Sequence, residues 1–137
     1  MSRPSTLTPK EVPRVVVIDD DEFEREFVVD LLGKAGFKVS SLPSMIGVTN
    51  HLIERRVSVV VLDVMMPTIR GDKLATLLRK NPALRHLGVV MISGLPEHEV
   101  APLMAQVEVD AFVSKANLRT ELASTVARVI ALKTAHG

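Results

Sequence analysis

The sequence predicts an α/β fold in which helices cover both faces of a doubly wound parallel sheet. Short apolar runs, typical of strands buried on both faces, stop abruptly at polar residues. They lie at 15–18, 59–62, 89–92 and 112–113. Segments with helical periodicity separate the runs, and such alternation favours parallel strands joined by right-handed crossovers. A length of 137 residues suits one domain with a single core.

The first half of the chain predicts two strands and two helices. The first strand is the run at 15–18. A helix follows it, because apolar residues recur on one helical face while charged residues take the other; the apolar positions are Phe23, Phe27, Leu31 and Leu32. A short strand is predicted at 37–40 and a second helix at 44–55, although Gly47 weakens the helical pattern.

The second half of the chain predicts three further strands and three helices. The strands are placed at 57–62, 87–92 and 111–114, and the first two helices at 72–80 and 96–106. Pro102 lies inside the second of these helices and is expected to shorten or kink it. Asn117 is a candidate N-cap for the last helix. The stretch 66–71 is a loop, punctuated by Pro67 and Gly71.

Composition excludes several classes of function. The net charge is +1, which gives no electrostatic case for binding nucleic acid or an anionic membrane. No apolar stretch reaches the ~20 residues of a membrane span. The chain has no cysteine, which fits a reducing cytoplasm and leaves no thiolate for a metal site. Residues 1–13 are predicted to be a flexible leader and residues 14–134 the folded domain.

Polar side chains follow the predicted strands at the points where the strands end. Asp19 and Asp20 follow the first strand, Asp63 the third, Ser93 the fourth and Lys115 the last. Ligands of open α/β sheets bind outside the carboxyl ends of the strands. We therefore expect these five side chains to meet at one edge of the sheet.

Carboxylates that converge in this way indicate a site for a hard cation. Like charges within ~4–6 Å raise a pKa or require a positive partner. Mg²⁺ prefers oxygen ligands and keeps several waters. We expect Asp20 and Asp63 to bind Mg²⁺ directly and Asp19 to assist through a water molecule.

This set of residues suits phosphoryl transfer. An aspartate beside a metal can act as the nucleophile and form an aspartyl-phosphate. Lys115 can place a positive charge on one phosphoryl oxygen, and Ser93 can donate a hydrogen bond to another.

The order and spacing of Asp19-Asp20, Asp63, Ser93 and Lys115 resemble the receiver domain of bacterial two-component response regulators, of the single-domain, chemotaxis-regulator type. The resemblance covers roughly residues 14 to 132, and Met66-Pro67 with Gly71 matches the family's loop after the acceptor. It implies a flavodoxin-like fold with strand order 2-1-3-4-5.

The resemblance also implies roles for individual residues and partners. Asp63 would accept phosphate from a histidine kinase or phosphotransfer protein, and the domain would catalyse only its own phosphorylation and dephosphorylation. The backbone carbonyl of Met65 would join Asp20 as a metal ligand. Ser93 and Phe112 would be the switch residues. Output would come from binding an unknown protein target.

The sequence departs from the family pattern at two positions of the last strand and loop. Ala116 follows Lys115, where the family usually has a proline that is commonly joined by a cis peptide. Phe112 stands where tyrosine is common, so this position has no hydroxyl group. Both departures concern the output surface rather than the acceptor.

Two alternative functions compete with this interpretation. Asp19-x-Asp21, Ser93 and Lys115 also resemble the haloacid-dehalogenase-like phosphatases, in which Asp19 would be the nucleophile and Asp21 the acid/base. That interpretation leaves Asp63 without a role, and a cap domain does not fit in this length. The second alternative is a pseudo-receiver that binds partners without being phosphorylated.

Overall fold

The computed structural model describes residues 12–66 and 69–136. Its sheet has five parallel strands in the order β2-β1-β3-β4-β5, which confirms the predicted fold class and the strand order that the resemblance implied. The strands are β1 (Arg14–Ile18), β2 (Lys38–Leu42), β3 (Val59–Asp63), β4 (Gly88–Ser93) and β5 (Ala111–Ser114).

Helices alternate with the strands along the chain. They are α1 (Glu22–Lys34), α2 (Val48–Glu54), α3 (Gly71–Arg79), α4 (Glu97–Gln106) and α5 (Ala123–His136). Short 3₁₀ turns occur at Pro82–Leu84 and Lys115–Asn117, and a turn of π-helix, Leu118–Leu122, leads into α5. Within the described ranges, no helix combines the length and the apolar character needed to cross a membrane.

The core has two layers, one on each face of the sheet. Successive strand residues point to opposite faces, so Val16 and Ile18 pack with α2 and α3, whereas Val15 and Val17 pack with α1 and α5. Full burial of each such side chain contributes about 1.5–3 kcal/mol. The central strands are buried on both faces, which explains why they appear in the sequence as uninterrupted apolar runs.

The second βα unit differs from the prediction at both elements. Five residues of β2 pair in parallel with all five of β1, so the strand runs over Lys38–Leu42 rather than 37–40. Helix α2 begins at Val48 rather than at residue 44, because Gly47 precedes it with a φ of 72°, which is left-handed backbone. Glycine adopts this conformation without steric cost, so it ends the loop and the helix starts after it.

Two predictions for the last third of the chain are only partly met. Pro102 does not shorten α4, which runs from Glu97 to Gln106; the proline is exposed, so its ring lies on the solvent side. Asn117 occupies the N-cap position of the π-helical turn that leads into α5, but its side chain makes no capping hydrogen bond. Ser114 caps the preceding 3₁₀ turn, accepting a hydrogen bond from the Ala116 N–H at 3.3 Å.

The peptide bond between Lys115 and Ala116 is trans, since no cis peptide bond occurs among residues 12–66 and 69–136. The proposed leader lies almost wholly outside the described residues, as does Pro67 of the loop motif. The domain bounds 14–134 stay a prediction.

Candidate functional site

The parallel register brings the polar strand ends to one edge of the sheet. Ile18 of β1 pairs with Leu62 of β3, so Asp19 follows beside Asp63. Asp63 pairs in turn with Ile92, the residue before Ser93. Three of the sequence-predicted residues, Asp19, Asp63 and Ser93, are buried at this edge.

Asp63 occupies the centre of the site. It is 3% exposed, and both of its carboxylate oxygens are held. Lys115 Nζ donates to Oδ2 at 2.9 Å, and the Met65 backbone N–H donates to Oδ1 at 2.9 Å. Burial raises the pKa of Asp63, while the hydrogen bonds from Lys115 and Met65 oppose that effect. The carboxylate is therefore fixed in direction but poorly solvated.

Lys115 connects two carboxylates. Besides Asp63, its ammonium contacts Glu24 Oε1 at 2.8 Å and Oε2 at 2.9 Å. Burial alone lowers the pKa of Lys115, but the hydrogen bonds to Glu24 and Asp63 outweigh it and the net shift is upward. The lysine is therefore a firmly protonated cation at the site.

Asp19 is fully buried and only partly satisfied. Its Oδ1 accepts the Asp21 N–H at 2.9 Å. Its Oδ2 is buried and has no hydrogen-bond partner among the residues that the structure describes. Burial, reinforced by Glu24 and Asp63, raises the pKa of Asp19 to about 7, although the Asp21 N–H opposes the rise. A buried carboxylate oxygen without a partner is costly unless a ligand completes it.

Asp19, Glu24 and Asp63 form an acid cluster that fits a divalent cation. Each offers a carboxylate oxygen, and these oxygens lie within 4.8 Å of one another. The unpartnered Asp19 Oδ2 supplies a free ligand atom at the same place. A small cation with an all-oxygen shell matches this donor set.

Glu24 was not identified from the sequence, where it was assigned to the solvent face of the first helix. It lies in the first turn of α1, three residues after the Asp21 N-cap. The first turn of a helix that follows β1 starts at the same edge of the sheet as Asp19. This position in the first turn was the one sequence signal that Glu24 belongs to the site. The signal is weak, because acidic residues are common in the first turn of any helix, where they complement the helix dipole.

The structure places the other predicted residues around this centre. Asp20 is exposed, and its role as a direct metal ligand stays a prediction. Asp21 accepts the Glu24 N–H at 3.0 Å and caps α1, which is a structural role. Met65 is 54% exposed, and the role of its carbonyl as a ligand also stays a prediction.

Ser93 and Phe112 lie on the neighbouring strands β4 and β5. Ser93 is fully buried, and its Oγ accepts the Leu95 N–H at 2.9 Å. Phe112 pairs with Met91 and packs, partly buried, against the α2–α3 layer of the core. Their roles as switch residues stay predictions.

Gly71 allows α3 to start close to the end of β3. A Cβ added at this residue would collide with the backbone carbonyl of Asp63. The Gly71 N–H donates to the carbonyl oxygen of Val64 at 2.9 Å. Only glycine permits this approach, so its place in the sequence motif has a steric cause.

Comparison with known families agrees with this architecture. The family model described as the response regulator receiver domain matches residues 15–127. The chain therefore belongs to the receiver-domain family of response regulators, whose members are phospho-accepting signalling switches. Neither the phosphatase nor the pseudo-receiver alternative is favoured by this membership, and the domain is a signalling module rather than a metabolic enzyme.

Individual relatives share moderate identity with the chain. It is 27% identical to the transcriptional regulatory protein GltR of Pseudomonas aeruginosa over 86% of this chain and 48% of that protein. It is 33% identical to the two-component response regulator ORR8 of Oryza sativa over 62% of this chain and 73% of that protein. The chain also spans 19% of protein RcaC of Microchaete diplosiphon and 10% of the phosphodiesterase regA of Dictyostelium discoideum.

Solved structures share the fold. The chemotaxis protein CheY4 of Vibrio cholerae superimposes with a TM-score of 0.79 at 21% identity, over 87% of this chain and 99% of that chain. A receiver domain protein of Clostridium thermocellum gives a TM-score of 0.81 at 20% identity, over 92% of this chain and 100% of that chain.

Proposed function

We propose that Asp63 is the phosphoacceptor of this receiver domain, in a Mg²⁺-dependent transfer from the phosphohistidine of a histidine kinase or phosphotransfer protein. The observation that carries the proposal is the environment of Asp63. It is a buried carboxylate, held by Lys115 and the Met65 N–H, inside an acid cluster with one unpartnered oxygen.

The transfer is an in-line displacement. A carboxylate oxygen of Asp63 forms a bond to phosphorus, the bond from phosphorus to the donor nitrogen breaks, and the imidazole leaves with the electron pair. Lys115 already lies 2.9 Å from Asp63 Oδ2, so its ammonium is in place to pair with an oxygen of the arriving group. The Met65 N–H fixes the orientation of the carboxylate through the other oxygen.

Mg²⁺ fits the acid cluster as a cofactor. Asp63 and the exposed Asp20 are the proposed direct ligands, with Asp19 acting through water and Met65 through its backbone carbonyl. When bound, the ion offsets charge on the phosphoryl group. Asp19 Oδ2 is the buried atom in this set that gains a partner from a hydrated cation.

Ser93 and Phe112 are proposed to convert phosphorylation into a change of surface. The Ser93 hydroxyl accepts from Leu95 and retains a proton that it can donate to a phosphoryl oxygen. Rotation of the Ser93 side chain toward that oxygen would free space next to β4. Phe112 lies on the adjacent strand β5 and could fill this space by changing its rotamer. A pre-existing equilibrium between two surfaces would shift accordingly.

The proposed donor and output partner are proteins. A sensor histidine kinase, TmoS of Ectopseudomonas mendocina, is 24% identical over 90% of this chain and 12% of that protein. A segment resembling this chain thus occurs within a kinase, which supports a histidine kinase or phosphotransfer protein as the donor. A protein target, a cytoplasmic location and no contact with nucleic acid complete the proposal, supported by the near-neutral charge.

The test is the intact mass of the protein after incubation with Mg²⁺ and acetyl phosphate. We expect the wild type to gain one phosphoryl group and Asp63→Asn to gain none, because an amide oxygen is a poor nucleophile. Asp19→Asn separates the alternatives, since the phosphatase chemistry requires Asp19 as nucleophile. If Asp63→Asn is labelled and Asp19→Asn is not, Asp63 is not the acceptor.

A further inference from the structure

Lys115 is shared between the acceptor and a second carboxylate that lies on a different element. Its Nζ contacts Asp63 Oδ2 at 2.9 Å and both oxygens of Glu24 at 2.8 and 2.9 Å. Glu24 belongs to α1 and is separated from Lys115 by 91 positions of sequence. The ion pair therefore depends on the fold and not on local sequence.

The Lys115–Glu24 pair is sheltered enough to matter. The side chain of Glu24 is 18% exposed and that of Lys115 is 30% exposed. Exposed ion pairs contribute little because water screens them, whereas shielded and charge-assisted hydrogen bonds are short and directional. The lengths of both contacts match that stronger class.

An ammonium group has three N–H donors, and the phosphoryl group needs one of them. In the unphosphorylated protein, Asp63 and Glu24 already occupy donors of Lys115. Glu24 also keeps a negative charge next to the position where a doubly charged group must arrive, since its carboxylate lies within 4.8 Å of the Asp63 oxygens. Like charges at that separation disfavour each other.

We propose that Glu24 is a positioning residue that holds Lys115 beside Asp63 and competes with the incoming phosphoryl group for its ammonium. Glu24 thereby slows the phosphorylation of Asp63. The inference rests on the proposed function, because it assumes that Asp63 is the acceptor. It adds a regulating residue on α1 to the strand-end residues that the sequence indicated.

A role for Glu24 as a metal ligand is the competing explanation, since it belongs to the acid cluster. Both of its oxygens, however, already face the Lys115 ammonium. The unpartnered buried oxygen of the cluster belongs to Asp19 instead. Glu24 is therefore assigned to the lysine and not to the metal.

The test compares rate constants for labelling by acetyl phosphate at saturating Mg²⁺. In this reaction an Asp63 oxygen bonds to phosphorus while the bond from phosphorus to the acetate oxygen breaks, and acetate leaves with the electron pair. Glu24→Gln keeps the size of the side chain and removes the charge. We expect it to be labelled roughly three- to tenfold faster than the wild type, which corresponds to a barrier lower by about 0.7–1.4 kcal/mol.

A matched control removes the same charge without touching Lys115. Glu22 lies in the same first turn of α1 and is exposed. Glu22→Gln should change the labelling rate by less than about twofold, because a screened surface charge acts weakly. Equal acceleration in both variants would show a general charge effect and would overturn the role of the Glu24–Lys115 contact.

A double-mutant cycle tests whether Glu24 acts through Lys115. In a Lys115→Ala background, Glu24→Gln should accelerate labelling less than it does with Lys115 present, because competition for the ammonium is gone and only the repulsion between the Glu24 charge and the phosphoryl group remains. An acceleration of the same size in both backgrounds contradicts the proposal. If Glu24 acts only by supporting the fold, Glu24→Gln should change the labelling rate by the same factor with and without Lys115.

The Mg²⁺ affinity distinguishes the proposal from the explanation that Glu24 is a metal ligand. Glu24→Gln should weaken Mg²⁺ binding far less than Asp20→Ala does, since it removes a neighbouring charge and not a proposed ligand. Slower labelling together with a loss of Mg²⁺ affinity as large as that of Asp20→Ala would make Glu24 a metal ligand and overturn the proposal. Failure of the proposed function has a different signature, namely an unlabelled wild type or a labelled Asp63→Asn protein.

Discussion

Two groups of charged residues lie at opposite ends of the same sheet, and they are built in opposite ways. At the carboxyl ends of the strands, the acid cluster sets three carboxylates against the single ammonium of Lys115. At the other end, the Arg79–Asp110 network, consisting of Arg79, Asp110 and Lys133, sets one carboxylate against two cations.

The Arg79–Asp110 network satisfies its hydrogen-bonding groups. Arg79 donates to Asp110 Oδ2 at 2.8 Å, to the Leu87 carbonyl at 2.7 Å and to the Glu108 carbonyl at 2.9 Å. Asp110 also accepts the Val89 N–H at 2.8 Å, and its other oxygen contacts Lys133 at 3.0 Å. These bonds tie α3, β4, the start of β5 and α5 together.

The acid cluster has excess negative charge and an unpartnered oxygen on Asp19. Buried charge in this domain therefore has two uses. Complete pairing joins elements of the fold, whereas incomplete pairing stores unfavourable energy at the edge of the sheet where a cation and a phosphoryl group are proposed to bind. Opposite effects on stability are therefore expected when a carboxylate is removed from each group.

The largest expected effect is the loss of Asp110. Asp110→Ala leaves Arg79, Lys133 and the Val89 N–H without their acceptor. We expect the free energy of unfolding to fall by about 2–4 kcal/mol, because unsatisfied buried donors and a broken shielded ion pair both cost energy. Urea unfolding of the metal-free protein measures this. A loss below about 0.5 kcal/mol, which is what an exposed ion pair contributes, would contradict the claim that the Arg79–Asp110 network stabilises the fold.

Removal of the Asp19 charge should have the opposite sign. Asp19→Asn keeps an oxygen that can accept the Asp21 N–H and removes a buried carboxylate next to Asp63 and Glu24. We expect the metal-free protein to gain about 1–2 kcal/mol of unfolding free energy, because burial without a cation disfavours the charge. Asp30→Asn, which removes an exposed carboxylate paired with Lys34 on the same helix, is the control and should change little. Destabilisation by Asp19→Asn would contradict the account.

The smallest expected effect is the added stability that Mg²⁺ confers. At a concentration ten times its Kd, a ligand of the folded state adds about 1.4 kcal/mol. We expect this increment in the wild type and in Asp110→Ala, because the network is remote from the metal. Asp20→Ala should lose most of it, as measured by thermal unfolding with and without Mg²⁺. An undiminished increment in Asp20→Ala would remove Asp20 from the metal site.

The strand ends could be predicted from the sequence because buried parallel strands leave an unambiguous pattern. Val59–Asp63 appears as four apolar residues and one acid, and its place beside β1 and β4 follows from the fold. Residues brought in from helices could not be predicted in this way. Glu24 reaches Lys115 only because of how α1 is set against the sheet, and a first-turn acid looks the same with or without such a contact.

The Arg79–Asp110 network was missed for a related reason. In the sequence, Arg79 is only a basic residue near the end of a predicted helix, where such residues are common because they complement the helix dipole. Its three bonds depend on the packing of α3 against the loops before β4 and β5, which the periodicity of the sequence does not describe. Asn117 lies at the predicted start of the last helical segment, but its side chain makes no capping bond. The 3₁₀ and π-helical turns between β5 and α5 were not predicted, because the helical periodicity of the sequence does not distinguish them from α-helix.

The most direct test of the account is the position of the phosphoryl group on the chain. Borohydride converts an acyl phosphate to an alcohol, so the acceptor aspartate becomes homoserine and is located by peptide mass spectrometry. After labelling with acetyl phosphate and Mg²⁺, the account predicts homoserine at Asp63, with Asp19 and Asp110 unchanged. Homoserine at Asp19 or at Asp110, with Asp63 intact, would contradict the claim that the incompletely paired edge presents Asp63 as the acceptor.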